Sequence, residues 1–381
     1  MACLSHLLLK LWVLLLFLPI RSSAESLTKC FASIISFGDS LADTGNYIYI
    51  NPDFRSNLFP YGETYFHHPN GRSSDGRLVI DFIAQAFGLP LVPPYLPNSS
   101  NGDFKRGVNF AVSGATALGS DFFEERGISR GVTNNSLGDQ LHWFTQLLPS
   151  LCPASSDCRN VFRSTLFLLG EIGGNDLNYP FAQGWSIKQL HSFLPQIVST
   201  IKSAAEVLIE HGATTILVPG NLPIGCSPSY LSLPWNSVRK HYNTETGCLD
   251  NFNAFAEKYN QQLKMELDHL RALHSGVTLI YADYYNAAMR VFRSPHEFGF
   301  NEALRACCGG GGHYNYNISA LCGGPGSQEC KNSSSFVSWD GIHLTEAMYN
   351  FVAEALLKGP YTEPSIASVC LPSHCPLLYR N

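Results

Sequence analysis

"ISFGDSLADTGN", residues 35–46, leaves an apolar segment with strand character, turns at Gly38-Asp39, presents Ser40 and then becomes polar. In open parallel sheets, ligands bind in the crevice beyond the carboxyl ends of the strands, so a residue just past such an end is well placed for chemistry. A serine in that position most often caps the following turn. The question the stretch raises is whether the rest of the chain supplies partners that would make Ser40 a nucleophile.

Working outward, four further apolar runs alternate with helix-like segments. The strand candidates are "SIISFGD" (33–39), "GVNFAV" (107–112), "TLFLLGEIG" (165–173), "TTILVPG" (214–220) and "VTLIYADY" (277–284). Each is apolar over most of its length, as expected of strands covered by helices on both faces, and the alternation predicts an α/β fold with a parallel sheet of about five strands. The clearest helix runs from near Leu249 to near Leu273, where Leu249, Phe252, Ala256, Tyr259, Leu263, Leu267 and Leu270 recur every three or four residues. Shorter helices are expected over 78–88 and 345–359, the second with Thr345 as N-cap and Gly359 past its end. Neither repeat nor Pro/Ser linker divides the chain, which predicts one large domain over residues 25–381.

A 381-residue chain with 45% hydrophobic and 14% charged residues has ample material for a core. Its formal net charge of −5, with no run of like charges, argues against nucleic acid as a partner. Residues 1–24 combine the apolar block Leu11–Ile20 with Ser22 and Ala24 in a small-x-small pattern, the signature of a cleaved signal peptide. No later segment is apolar enough to span a bilayer. Secretion allows the twelve cysteines to pair. Cys3 leaves with the signal, so an odd number remains and at least one thiol is free or intermolecular. Cys152/Cys158 and Cys370/Cys375 could close short loops and Cys226/Cys248 a longer one, although spacing alone does not fix connectivity. Cys307, Cys308, Cys322 and Cys330 lack the C-x-x-C spacing of a zinc site. N-x-S/T sequons at Asn98, Asn134, Asn317 and Asn332 fit a secreted glycoprotein.

A serine hydroxyl needs a base within hydrogen-bond reach to attack at neutral pH. "SWDGIHLTE" (338–346) offers one: Asp340 and His343 can meet across a single turn, so the carboxylate would orient the imidazole and stabilise its charged form. A developing oxyanion needs donors. "VNFAVSGAT" breaks at Ser113-Gly114, where a glycine allows close backbone approach, and "LLGEIGGNDLNY" presents Asn175, whose amide is a donor. Asp39, beside Ser40, is expected to hold the turn rather than act as a base. Ser227 in "GCSPS" fails the G-x-S-x-G pattern, and the run Gly309–Gly312 lacks the Lys-Ser/Thr of a phosphate loop.

With these blocks in this order, the chain resembles the plant GDSL esterase/lipase family of the SGNH hydrolase superfamily. "FGDSLADTGN", "NFAVSGAT", "GGND" and "DGIHLT" match its four blocks, and "FPYGETYF", "SDGRLVIDFIA", "VPGNLPIGC" and "YADYYNA" extend the likeness over essentially the whole mature chain. The resemblance implies a three-layer α/β/α sandwich of flavodoxin-like type and a triad of Ser40, Asp340 and His343. It further implies an oxyanion hole from Ser40, Gly114 and Asn175, and no metal or cofactor. It looks closest to members that deacylate specialised metabolites, such as the esterases of acetylajmalan and sinapine, which favours small acyl or phenolic esters over triglycerides. An acyltransferase built on the same acyl-enzyme, and a non-catalytic binding or defence glycoprotein, remain alternatives. The expected partner is a small-molecule ester, and the expected destination is the apoplast or wall, or the vacuole.

Overall fold

The computed structural model describes residues 27–28, 30–100, 102–152, 158–232 and 241–370. The signal-peptide expectation for residues 1–24 and the thiol of Cys375 lie outside these residues. Five parallel strands form the body of the sheet: β1 (Ser33–Phe37), β2 (Gly107–Asn109), β3 (Thr165–Leu169), β4 (Thr215–Pro219) and β5 (Thr278–Ala282). A sixth, β6 (Thr362–Glu363), adds an antiparallel edge on β5, giving the order β6-β5-β4-β3-β1-β2. The extra strand escapes sequence reading because its two residues carry no period. It is held by side-chain links as well, since Arg271 donates to the Glu363 carbonyl and Lys264 pairs with the Glu363 carboxylate.

Strand geometry sends successive side chains to opposite faces, and the core divides accordingly. Ile35, Phe37, Phe167, Leu169, Ile216, Val218 and Leu279 enter one hydrophobic cluster, whereas Ile34, Leu166, Leu168, Leu217 and Ile280 enter another. The first cluster is closed by α2 (Leu137–Leu151), α4 (Leu194–Glu210) and α5 (Asp250–Leu273), and the second by α1 (Val79–Ala86), α6 (Tyr284–Arg293) and α7 (Glu346–Lys358). Helices therefore cover both faces, as a three-layer α/β/α sandwich requires. A further helix, α3 (Asn175–Ala182), follows β3 and begins at a predicted site residue.

The apolar stripe read over 249–270 is buried at every one of its positions, along α5 and at its N-cap Leu249, and packs on α4 and β5. Thr345 caps α7 as its residue type predicts, accepting from Met348 N–H. The disulfides are Cys30–Cys370, Cys152–Cys158, Cys226–Cys248, Cys307–Cys330 and Cys308–Cys322. Two of the three short-range pairings are found, but Cys370 does not pair with Cys375. It reaches Cys30, 340 residues away, because β1 and the C-terminal segment meet on one side of the sheet. The cluster of Cys307, Cys308, Cys322 and Cys330 holds two nested disulfides, and among the described residues no group of His, Cys, Asp and Glu is arranged to hold a metal.

Candidate active site

β1 ends at Phe37, and the chain is held there by Gln140 of α2, whose amide makes a two-way clamp on Gly38. Its Oε1 accepts from Gly38 N–H at 2.8 Å and its Nε2 donates to Gly38 O at 2.8 Å. Asp39 O then accepts from Ala42 and Asp43 N–H, which curls the chain into one tight turn with Ser40 at its crest, half-buried. The polar residues that follow have structural work. Asp43 accepts from the N–H groups of Gly45, Asn46, Tyr47 and Ser113, and Asn46 and Asn109 bind further backbone carbonyls of the same loops. The turn carrying Ser40 is thus locked to the loop after β2 without using the Ser40 hydroxyl.

That hydroxyl is 2.8 Å from His343 Nε2, and His343 Nδ1 is 2.7 Å from Asp340 Oδ2. The Asp-x-x-His spacing closes because the other carboxylate oxygen, Oδ1, accepts from Ile342 and His343 N–H at 2.9 and 2.8 Å, winding residues 340–343 into a side-chain-capped turn. The turn is tied down from outside. Gly341 O accepts from Ser227 Oγ and Ser229 N–H, so the serine of the failed G-x-S-x-G match braces the histidine loop. Burial by itself would raise the Asp340 carboxyl, but the His343 charge and the hydrogen bonds outweigh it and hold Asp340 well below the usual carboxylate range. An ionised Asp340 facing Nδ1 favours the tautomer that leaves Nε2 free to accept the serine proton.

The oxyanion candidates lie on neighbouring segments, since Asn175 bonds Asp39, next to Ser40, and Ala115, next to Gly114. The backbone N–H groups of Ser40 and Gly114 donate to no described residue. Gly114 has φ +82°, and a Cβ there would stand 2.6 Å from Val132 Cγ1 and 2.7 Å from Tyr179 Oη, so only glycine fits. Asn175, the first residue of α3, donates from Nδ2 to Asp39 Oδ2 at 3.2 Å and to Ala115 O at 3.1 Å. Asp39 does hold the turn, through Leu41 N–H to Oδ1 at 2.9 Å. It also belongs to a buried acid cluster with Glu171 and Asp176, which no reading of the sequence anticipates. Burial pushes Asp39 up to about 6 and Asp176 up to about 7, and it drives Glu171 well above its ordinary value.

Tyr61 was equally invisible as a site residue. Fully buried, it donates its hydroxyl to Asp340 Oδ2 at 2.8 Å, so that oxygen carries two hydrogen bonds. Its segment, "FPYGETYF", enters only through family likeness, and 279 residues separate the pair in sequence. Of the four sequon asparagines, Asn134, Asn317 and Asn332 are exposed, while Asn98 is half-buried with its amide on Pro94 O.

Comparison with known proteins shows the family of the chain. The family model described as GDSL-like lipase/acylhydrolase matches residues 34–356. A GDSL esterase/lipase of Arabidopsis thaliana is 52% identical over 92% of this chain and 89% of its own length. A second from the same plant is 50% identical over 97% and 95%, and a third is 49% identical over 94% and 91%.

Proposed function

The chain belongs to the GDSL-like lipase/acylhydrolase family and is a carboxylic ester hydrolase, and on that premise we propose that Ser40, His343 and Asp340 act as its triad. The observation that carries the assignment is the unbroken relay from Ser40 Oγ through both imidazole nitrogens to Asp340 Oδ2. Ser40 Oγ attacks the ester carbonyl carbon as its proton passes to His343 Nε2, giving a tetrahedral oxyanion. The N–H groups of Ser40 and Gly114 and the Asn175 amide stabilise that charge. The C–O bond to the alcohol then breaks, with the proton on Nε2 going to the leaving oxygen. Water, deprotonated by the same nitrogen, attacks the acyl-serine and releases the acid.

We assign the protein to secretion, as one domain from residue 25, with the sugar acceptors at the exposed Asn134, Asn317 and Asn332 and at Asn98. The five disulfides support an oxidising compartment, and among the described residues no helix is long and apolar enough to cross a membrane. Small acyl or phenolic esters are the proposed substrates, in the apoplast or the vacuole. The test is hydrolysis of p-nitrophenyl esters of rising chain length, and of acetylated and hydroxycinnamoylated metabolites, by wild type and Ser40→Ala. Turnover confined to wild type and strongest on short or phenolic esters is expected. Full activity in Ser40→Ala would remove the triad. Transfer to an added alcohol in excess of hydrolysis would make the protein an acyltransferase.

A further inference from the structure

Two carboxyl groups beside the nucleophile take no part in the relay. Asp39 immediately precedes Ser40, and Glu171 lies two residues beyond the end of β3; both are buried, 3% and 5% exposed. Their oxygens converge over Gly174. A Cβ built there would stand 3.3 and 3.6 Å from the Glu171 carboxyl oxygens and 3.9 Å from Asp39 Oδ2. Two carboxylates buried side by side offer each other only acceptors and like charge, so the pair favours holding one proton. No salt bridge among the described residues reaches either group. On its far side Glu171 borders a small cavity whose lining is otherwise mostly apolar, with Ile83, Leu168, Leu217 and Pro219. The only polar side chains in that lining besides Glu171 are the hydroxyls of Ser36 and Tyr284, whereas Asp39 has Leu41 N–H on Oδ1 and the Asn175 amide on Oδ2.

We propose that Glu171 is a positioning residue: it keeps the proton of the shared pair, holds Asp39 ionised by donating to it, and through Asp39 orients the Asn175 amide at the oxyanion site. The inference rests on Asn175 serving the oxyanion, as proposed above. The Asp39 bond fixes the plane of the amide, and substrate draws on the N–H now directed at the Ala115 carbonyl. The backbone is built for the same purpose, since Asp39 N–H donates to Glu171 O and ties the two strand ends together beneath the pair. The charged and titratable groups facing the pair are His343, Asp43 and Tyr179 toward Asp39, Asp176, Tyr259 and Tyr349 toward both, and Tyr230 and Tyr284 toward Glu171. None of these is a cation fixed at every pH. Against burial, Asp39 is kept charged by Leu41 N–H, then by the Glu171 proton, then by the His343 charge.

The test compares wild type, Glu171→Gln and Glu171→Leu on p-nitrophenyl acetate across pH, with infrared spectra of the same samples. Gln keeps a donor at every pH; Leu removes it. Glu171→Leu is expected to move the acid limb of kcat upward by about one pH unit, because an unsupported buried Asp39 takes up a proton more readily. The loss of kcat, about tenfold near pH 6, should shrink toward pH 8, and Glu171→Gln should restore most of it. Equal loss in both variants at every pH, or an acid limb that Leu does not move, would overturn the proposal by making Glu171 a packing residue. Infrared spectroscopy decides the point without turnover and keeps it decidable if the Leu variant fails to fold. The wild-type minus Glu171→Gln difference spectrum at neutral pH should show a protonated-carboxyl C=O band beyond the Asp176 signal common to both proteins, and absence of that difference sinks the shared proton. Ser40→Ala separates the two hypotheses: activity surviving there refutes the triad, while the carboxyl band still reports on the pair.

Discussion

Replacing Asp340 by Asn tests the relay at its most constrained point. Four donors converge on the wild-type carboxylate: Ile342 and His343 N–H on Oδ1, and His343 Nδ1 and the Tyr61 hydroxyl on Oδ2. An amide has one oxygen, and the two backbone donors fix it at the Oδ1 position. The NH₂ group then falls where Oδ2 stood, facing Nδ1 and Tyr61. Tyr61 can turn its hydroxyl and accept; His343 can accept only by moving its proton from Nδ1 to Nε2. Nε2–H then points at Ser40 Oγ and is no longer a base. The fold survives at a cost of about 1–3 kcal/mol, because the shape is kept and most donors still find partners. Catalysis should fall about 10³- to 10⁴-fold, or roughly 4–5.5 kcal/mol in the barrier, the penalty of a wrong tautomer. The assay is kcat/KM on p-nitrophenyl acetate at neutral pH, beside urea unfolding and the rate at which an organophosphonate labels Ser40. Labelling should fall with turnover. A folded Asp340→Asn protein within tenfold of wild type would refute the tautomer argument, and with it the role of Asp340.

Tyr61→Phe removes one hydrogen bond to a buried charge and leaves Asp340 three others, so urea unfolding should show a loss of about 1.5–3 kcal/mol while kcat falls less than about tenfold. Gly114→Ala places a methyl group against Val132 and Tyr179 in a left-handed backbone, and moving that N–H should lower kcat by about 10²-fold or more with KM little changed. Stability should fall as pH rises from about 4 to 7, because Asp39 and Asp176 are pushed from 3.8 to about 6 and about 7, so the folded state holds protons that the unfolded chain has already released. Asp176→Asn should flatten that slope, and a urea midpoint independent of pH over this range would refute the assignment. Asp340, held low, contributes in the opposite sense only in stronger acid, where its stabilisation is lost on protonation.

How much of this could be read from the chain follows from the range of each interaction. The five parallel strands are legible as continuous apolar runs because helices bury both of their faces, and α5 because Leu249 to Leu270 form one stripe. Ser40, Asp340 and His343 stand out because the Asp-x-x-His turn is local and the strand-end serine has a positional meaning in parallel sheets. What stays hidden is what two distant segments decide jointly. Cys30 and Cys370 become partners only once the sheet is folded, β6 exists only as an addition to β5, and Tyr61 has meaning only where it meets Asp340. Glu171 is the sharpest instance. In "LLGEIGGND" it reads as one polar residue at the end of an apolar run, where an exposed loop carboxylate is the ordinary expectation. Its burial against Asp39 follows from β1 and β3 being neighbours in the sheet, so that the ends of both strands open on one spot. The adjacency that gives Ser40 its crevice also forces two carboxyls together beneath it, and a site built at the meeting of strand ends acquires its electrostatics from the topology rather than from any one motif.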